Sequence, residues 1–239
     1  VLACFISQIK SEDELLPDFI MVEEDLNDYA IRTEYFPEAD CQIAEGCVKC
    51  AGERTVIRFD TTVANIGTFK FFVGNPADRP DLAEYDECHG HYHLKEYNQY
   101  IVFDAADTNE ENPLEIGGKE GMCVRDGGVY DDTIPNFEPR SYPNCSYQGI
   151  GIGRSDKYEN HILCQFVDIT DLPAGDYVLR GEVNPERIVE ELDYTNNYAR
   201  LSFSYSGEPT DYYVSGYTPT QADFETWLDT RNKLITDLP

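Results

Sequence analysis

Apolar and polar residues alternate along several stretches of the chain, and turn-forming residues separate these stretches. The segments RTVIRFDTTVANIG and TFKFFVG, which meet around residues 65–67, have this pattern, as do YNQYIVFDAAD and NYARLSFSYSG. The segment LCQFVDITDLPAGDYVLRGEVNP reads as two strands joined by a Pro–Ala–Gly–Asp turn. A period of two is typical of strands with one buried face. Short strands at this spacing predict a mainly β fold with a β-sandwich core.

Two regions depart from the strand pattern. Residues 104–160 contain few strand-like runs and much Gly, Pro, Asn and Asp, which predicts long functional loops on the β scaffold. Near the C-terminus, Thr220 and Asp223 resemble a capping box, and apolar residues then recur at helical spacing. We therefore predict a C-terminal amphipathic helix that docks on the domain or on a neighbouring chain. Its apolar face consists of Phe224, Trp227, Leu228 and Ile235.

Composition and charge narrow the classes of function. The chain has 239 residues, 41% of them hydrophobic, so it is long enough to bury a substantial core. Its net charge of −28 repels phosphate backbones, which argues against nucleic acid as a partner and favours cationic substrates or divalent cations. No apolar run is long enough to predict a transmembrane segment. The opening VLACFISQI is too short for a signal peptide, so we expect any such peptide to have been removed or to lie upstream.

The cysteines indicate an oxidising compartment. Their even number and scattered positions predict disulfides in a secreted, extracellular or cell-surface protein. The sequence NCS at Asn144 is a glycosylation sequon, which agrees with secretion and predicts a glycoprotein. Connectivity cannot be read from spacing alone. The eight cysteines are Cys4, Cys41, Cys47, Cys50, Cys88, Cys123, Cys145 and Cys164.

Three of the four histidines occupy alternate positions within five residues, at His89, His91 and His93. On a strand these side chains face the same way, and Gly90 allows the bend that brings all three imidazoles together. Three neutral imidazoles suit copper or zinc. A zinc hydrolase is therefore one hypothesis, although the metalloprotease spacing HExxH is absent.

The motif CHGHYH resembles the copper-binding signature of the lysyl oxidase family, in which a cysteine precedes His-x-His-Tyr-His. The likeness extends to VANIGTFKFF upstream and to CQFVDITDLPAGDYVLRGEVNPERIVEELDYTNN downstream. It covers residues 15–206, which we interpret as a lysyl-oxidase-like catalytic domain. Residues 1–14 then form an N-terminal extension, and residues 207–239 form a C-terminal tail with the helix.

The resemblance implies that copper is bound by the three histidines and that a lysine and a tyrosine form the cofactor lysine tyrosylquinone. The family lysine lies four residues before a cysteine, as Lys119 lies before Cys123. The family tyrosine lies six residues before the cysteine of a Cys-Gln pair, as Tyr158 lies before Cys164. Lys157 is a rival lysine that we rank lower.

The activity implied by this likeness is oxidative deamination. A secreted copper- and quinone-dependent enzyme would convert primary amines to aldehydes, with release of peroxide and ammonia. Its substrate would be peptidyl lysine in extracellular matrix or other extracellular proteins, and the negative charge would attract such basic substrates. The catalytic base is open, with His161 and Asp126 as the candidates.

The family likeness also implies a calcium site and a set of disulfides. Hard oxygen ligands from the turn EELDYTNN and from the segment LPDF suit calcium. Family pairings suggest the disulfides Cys41–Cys88, Cys47–Cys164 and Cys123–Cys145, which leaves Cys4–Cys50 by elimination. The implied calcium ligands are Asp18, the Phe19 carbonyl, Glu191, Asp193, Asn196 and Asn197.

Several departures from the family pattern surround the implied active site. Asp86 and Gly118 stand where histidines are common, Phe166 replaces a tryptophan, and His161 replaces an aspartate. These changes leave an alternative open, in which the chain is a catalytically inactive, metal-binding structural module of an extracellular assembly. The docking-type tail helix is compatible with that alternative.

Overall fold

The computed structural model describes residues 15–87, 90–117 and 123–208, and the backbone of 212–214. Within these ranges the chain is mainly β, as predicted, with two four-residue α-helices, α1 and α2, and a 3₁₀ turn at Pro76–Asp78. The predicted N-terminal extension and C-terminal helix lie outside the described residues. The helices are Glu23–Leu26 and Cys41–Ala44. The strands β1 to β16 are, in order, Phe19–Met21, Tyr29–Phe36, Gly52–Phe59, Thr61–Asn65, Phe71–Gly74, Ala83–Asp86, His91–Leu94, Asn98–Asp104, Glu115–Gly117, Gly128–Val129, Gln148–Ile150, Arg154–Tyr158, Phe166–Asp168, Gly175–Val183, Tyr198–Tyr205 and Tyr212–Val214.

The described strands form three four-stranded sheets and two two-stranded sheets. The larger sheets have the orders β1-β4-β12-β10, β13-β3-β2-β16 and β15-β14-β8-β9, and the smaller ones pair β11 with β5 and β6 with β7. All pairs are antiparallel except β16, which lies parallel to the outer side of β2. The predicted tail therefore contributes at least one strand to the domain.

Burial in β14 and β15 follows the alternation seen in the sequence, whereas β4 is buried along its whole length. In β15, the residues Ala199, Leu201, Phe203 and Tyr205 are buried, and the residues between them are exposed. This is the pattern of a sheet with one face on the core and the other in water. A large core cluster contains side chains from every one of the three larger sheets, so these sheets share one interior.

Two strand pairs carry the residues of the implied active site. The hairpin of β6 and β7 places His91 opposite Asp86 and His93 opposite Glu84. Strand β12 pairs with β4, so that Tyr158 lies opposite Thr61 at the end of the pairing. Both sites are thus built on strands rather than on free loops, which fixes the directions of their side chains.

Disulfides hold the loops to this scaffold. The predicted bonds Cys47–Cys164 and Cys123–Cys145 are both present, and Cys41 is also disulfide-bonded. The predicted partner of Cys41, Cys88, lies outside the described residues.

The fourth predicted disulfide, Cys4–Cys50, is wrong in this structure. Cys50 is a free, exposed thiol, and its sulfur lies 3.6 Å from Nη1 of Arg54. The prediction rested on elimination alone, which assumes that every cysteine of the chain is paired. Cys4 itself lies outside the described residues.

Among the described residues, no helix has the length and apolar character needed to cross a membrane.

Candidate active site

The histidine hairpin brings two imidazoles to a common point. The Nε2 atoms of His91 and His93 lie 3.2 Å apart, and the His93 side chain is buried. Two nitrogens bound to one ion at about 2.0 Å, at a tetrahedral angle, lie about 3.3 Å apart. The pair therefore fits two ligands of a single metal ion. His89, the third predicted ligand, lies outside the described residues.

Tyr158 is buried at the end of β12. Its ring belongs to the shared core cluster, and burial raises its pKa well above the usual range. The same cluster contains Leu94, the neighbour of His93 in the sequence. The phenol is therefore neutral, and water is largely excluded from it.

Asp156 is the buried partner of this phenol, and the sequence reasoning missed it. It lies two residues before Tyr158 on β12, so both side chains point to the same face of the strand. The Tyr158 phenol hydrogen-bonds the Asp156 carboxyl, and the Arg125 amide donates to Asp156 Oδ2 at 3.0 Å. Burial raises the pKa of Asp156 to about 7. A carboxyl with this pKa can take up and release a proton near neutral pH. The two-residue spacing in DKY was the signal that could have revealed it.

The segment that follows Tyr158 is fixed by a buried ion pair. The Arg58 guanidinium binds the carboxylate of Glu34, with Nη2 to Oε2 at 2.9 Å. Its Nη1 donates to the carbonyls of Asn160 and Ile162, at 3.0 and 2.8 Å. Both Arg58 and Glu34 are almost fully buried, so the charges are paired away from water. These contacts hold the chain immediately after the phenol.

Asp60 holds the same segment from the other side. Its Oδ1 accepts from the Asn160 amide at 2.7 Å, and its Oδ2 pairs with Lys157 Nζ at 2.9 Å. The hydrogen bond to Asp60 raises the pKa of Lys157, and Asp25 adds to the effect. Lys157 is therefore a protonated, ion-paired lysine, which is a poor nucleophile. This supports the lower rank of Lys157 as the cofactor lysine.

Lys119 lies in 118–122, outside the described residues, but both flanks of this segment are held. On one side β9 packs closely on β13, because a Cβ added at Gly117 would lie 2.6 Å from the Phe166 carbonyl oxygen. Lys49 also binds Glu115 on this strand at 2.8 Å. On the other side Cys123 is tied to Cys145. The segment that carries Lys119 thus begins and ends at fixed points.

The two bases suggested by the sequence occupy different surroundings. His161 is exposed, and its Nδ1 lies 3.5 Å from a carboxylate oxygen of Glu159. Asp126 is fully buried, and its two carboxylate oxygens accept from the amides of Ser141 and Tyr142, each at 2.8 Å. These bonds give Asp126 a role in holding the loop at 139–142. Neither residue has a described contact with Tyr158, whereas Asp156 does.

The implied calcium ligands form a cluster between β1 and the turn at 190–197. The Phe19 amide donates to Glu191 Oε2 at 2.6 Å, and Asn197 Nδ2 donates to Glu191 Oε1 at 2.8 Å. Asn196 Nδ2 donates to Asp18 Oδ1 at 2.9 Å. The Oδ1 atoms of Asn196 and Asn197 are both buried without a hydrogen-bond partner. Two orphaned acceptor oxygens beside two carboxylates are what a hard cation would satisfy.

The charges in this cluster also favour a cation. Burial raises the pKa of Glu191 to about 7, and the charge of Asp18 raises it further. Burial also raises the pKa of Asp18, with an added contribution from Asp193. Both pKa values are raised because burial and mutual repulsion disfavour the charged carboxylates. A bound divalent cation would offset both costs. Asp193 is exposed, and its Oδ1 accepts from the Thr195 amide at 2.7 Å.

Fold and site together define a disulfide-bonded, mainly β protein. It has a β-hairpin whose two histidines suit a shared metal ion, and a buried tyrosine–aspartate pair. The lysyl oxidase family profile matches residues 35–215. The chain therefore belongs to the lysyl oxidase family.

Individual relatives agree with this assignment. Human protein-lysine 6-oxidase is 35% identical over 167 residues, which are 69% of this chain and 37% of that protein. Human lysyl oxidase homolog 1 is 34% identical over 155 residues, which are 64% of this chain and 25% of that protein. The porcine protein-lysine 6-oxidase is 34% identical over 167 residues, 69% of this chain and 62% of its own length. The chain thus spans only part of the relatives that it matches.

Proposed function

We propose that this chain is a secreted, copper-dependent amine oxidase of the lysyl oxidase type. Its reaction would convert primary amines, and above all the side chain of peptidyl lysine, to aldehydes with release of peroxide and ammonia. The observation that carries the proposal is the buried pair of Tyr158 and Asp156, because it joins the implied cofactor tyrosine to a proton-transfer group. Relatives named protein-lysine 6-oxidase support lysine as the substrate.

Copper would be held by His91 and His93, with His89 as the third ligand. The 3.2 Å separation of the two described nitrogens supports this assignment. Tyr158 would contribute its ring, and Lys119 its amine, to lysine tyrosylquinone. When formed, this group supplies an electrophilic carbonyl and the capacity to accept two electrons.

Asp156 would move the proton that the reaction requires. Its carboxylate would accept the proton from the carbon that bears the substrate amine, and its pKa of about 7 suits that task. Burial also keeps water from competing at the carboxylate oxygens. The pair of Arg58 and Glu34 would keep the segment after Tyr158 fixed while this proton moves.

Calcium would have a structural role, separate from catalysis. Asp18, the Phe19 carbonyl, Glu191 and Asn197 would join β1 to the turn before β15, with Asp193 and Asn196 completing the set. The two orphaned amide oxygens support this assignment. The cation would neutralise the carboxylates and tie together two distant parts of the chain.

The test is peroxide release by chain that has been loaded with copper and calcium after expression in a secretory host. We expect release with an alkylamine and with a lysine peptide, blocked by a carbonyl reagent. Lys119→Arg and Tyr158→Phe should abolish it, while the matched controls Lys157→Arg and Tyr130→Phe, at an exposed tyrosine, should retain it. No peroxide from folded, copper-containing chain would overturn the proposal and favour an inactive structural module. Folded chain that retains zinc in preference to copper and releases no peroxide would instead favour a zinc hydrolase.

A further inference from the structure

The turn at 142–147 presents an asparagine side chain to solvent. Asn144 is exposed, and its Oδ1 accepts from the Ser146 amide at 3.0 Å. The backbone bridge from the Tyr147 amide to the Asn144 carbonyl, at 3.3 Å, closes the turn. Cys145 between them is bonded to Cys123. The Asn144 carbonyl groups are thus both used, whereas its Nδ2 donates to no described residue.

Three aromatic rings lie beside this turn. Phe72 on β5 lies 5.2 Å from Tyr147 and 5.9 Å from Tyr142, measured between ring centroids. The rings of Tyr142 and Tyr147 are stacked at 5.8 Å. Tyr142 is buried beneath the others, but Phe72 is 43% exposed and Tyr147 is 48% exposed. We call these three residues the aromatic platform. The outer face of the platform is an exposed apolar surface, and no described residue covers it.

We propose that Asn144 carries an N-linked oligosaccharide and that its first sugar packs on the aromatic platform. The sequon supplies Asn144 and the Ser146 hydroxyl, the turn leaves Nδ2 free, and the platform gives the sugar a surface. Sugar rings bind aromatic faces through their C–H groups, which meet the negative face of the ring. The glycan would be attached to the same turn that carries Tyr142 and Tyr147. Its first sugar would therefore lie next to the aromatic platform and could cover the exposed face.

The attachment is a group transfer that needs an oligosaccharide donor linked to a lipid pyrophosphate. Asn144 Nδ2 forms a bond to the anomeric carbon of the donor sugar and gives up one proton to water. The bond from that carbon to the pyrophosphate oxygen breaks, and the lipid pyrophosphate leaves with the electron pair. No oxidation or reduction takes place, and the chain supplies only the amide nitrogen.

Occupancy is tested on the full chain secreted from a eukaryotic host. Peptide mass spectrometry before and after treatment with an N-glycosidase should find the peptide with Asn144 carrying a sugar, and then aspartate at that position after release. Asn144→Gln and Ser146→Ala should both secrete chain of lower mass. An unmodified Asn144 in the secreted chain would overturn the proposal.

Packing is tested by comparing the Tm of the glycosylated chain with that of the unglycosylated variant Ser146→Ala, which keeps Asn144. Removal of the sugar should lower Tm by about 2–4 °C. In a Tyr147→Ser background the same comparison should give a clearly smaller shift, because Phe72 is then the only exposed ring left on the platform. A control at a distant exposed ring, Tyr85→Ser, should keep the full shift. An equal shift in both variants would show that the glycan does not rest on the platform.

Discussion

The substitution Asp156→Asn tests the account of the buried pair most informatively. Asp156 has a pKa of about 7 in the folded chain because burial penalises its charged form, against 3.8 when it is free in solution. The folded state therefore holds this proton more tightly than the unfolded state does. The tighter binding of this proton contributes to the free energy of unfolding. That contribution is fully present below pH 3.8, and it is lost as the pH rises through 7.

The magnitude follows from these two pKa values. Between pH 5 and pH 8 the wild-type chain should lose roughly 3 kcal/mol of unfolding free energy through this one group. Asparagine does not titrate, and it can still accept from the Arg125 amide. The difference in stability between Asp156→Asn and wild type should therefore shift in favour of the variant by that amount as the pH rises.

The assay is equilibrium urea unfolding of chelator-treated chain with its disulfides intact, at several pH values between 5 and 8. Asp107→Asn is the matched control, since the Asn112 amide lowers the pKa of Asp107 and its titration therefore falls below this window. The control should run parallel to wild type. A stability difference for Asp156→Asn that stays constant within about 0.5 kcal/mol would refute the raised pKa. Under the proposed function, the same variant of the copper-loaded chain should lower kcat/KM by about 10²- to 10⁴-fold.

Three further outcomes follow from the described contacts. Calcium at about one hundred times its Kd should raise Tm by roughly 5–10 °C, and Glu191→Gln should remove this response, as differential scanning fluorimetry would show; an unchanged response would exclude the proposed site. Arg58→Met should destabilise the chain by about 3 kcal/mol because the buried Glu34 charge loses one of its two guanidinium partners and keeps only Arg32, and adding Glu34→Gln should recover much of the loss; the absence of recovery would contradict the pairing. Replacing Cys47 and Cys164 by serine should cost about 5 kcal/mol in urea unfolding, against about 3 kcal/mol for the shorter described disulfide; equal losses would contradict the loop-entropy reasoning.

Much of the fold could be predicted from the sequence because β14 and β15 alternate buried and more exposed positions, whereas β3 and β4 are buried along most of their length. The buried residues of β15 fall on every second position, and β14 shows nearly the same pattern. The assembly of these strands into five separate sheets could not be read in this way. Strand order depends on contacts between segments far apart in the chain, such as β12 with β4, and alternation carries no information about partners.

The candidate site was predicted only in part for a similar reason. Motif spacing identified Tyr158 as a candidate but gave no signal for Asp156. An aspartate on a strand is usually exposed, so its burial was not expected. Only the folded chain shows that this carboxyl is buried against the phenol. Conversely, Asp126 looked like a candidate base, but its oxygens are used by two backbone amides. Burial and hydrogen-bond partners separate these two roles, and neither is visible in the sequence.

The covalent state of Lys119 and Tyr158 is the most direct test of the central claim. Chain loaded with copper and exposed to oxygen should be digested and measured by peptide mass spectrometry, beside chain kept free of copper. The account predicts one cross-linked species that contains both residues in the copper-loaded sample, and its loss in Tyr158→Phe. Two separate, unmodified peptides in folded, copper-containing chain would contradict it.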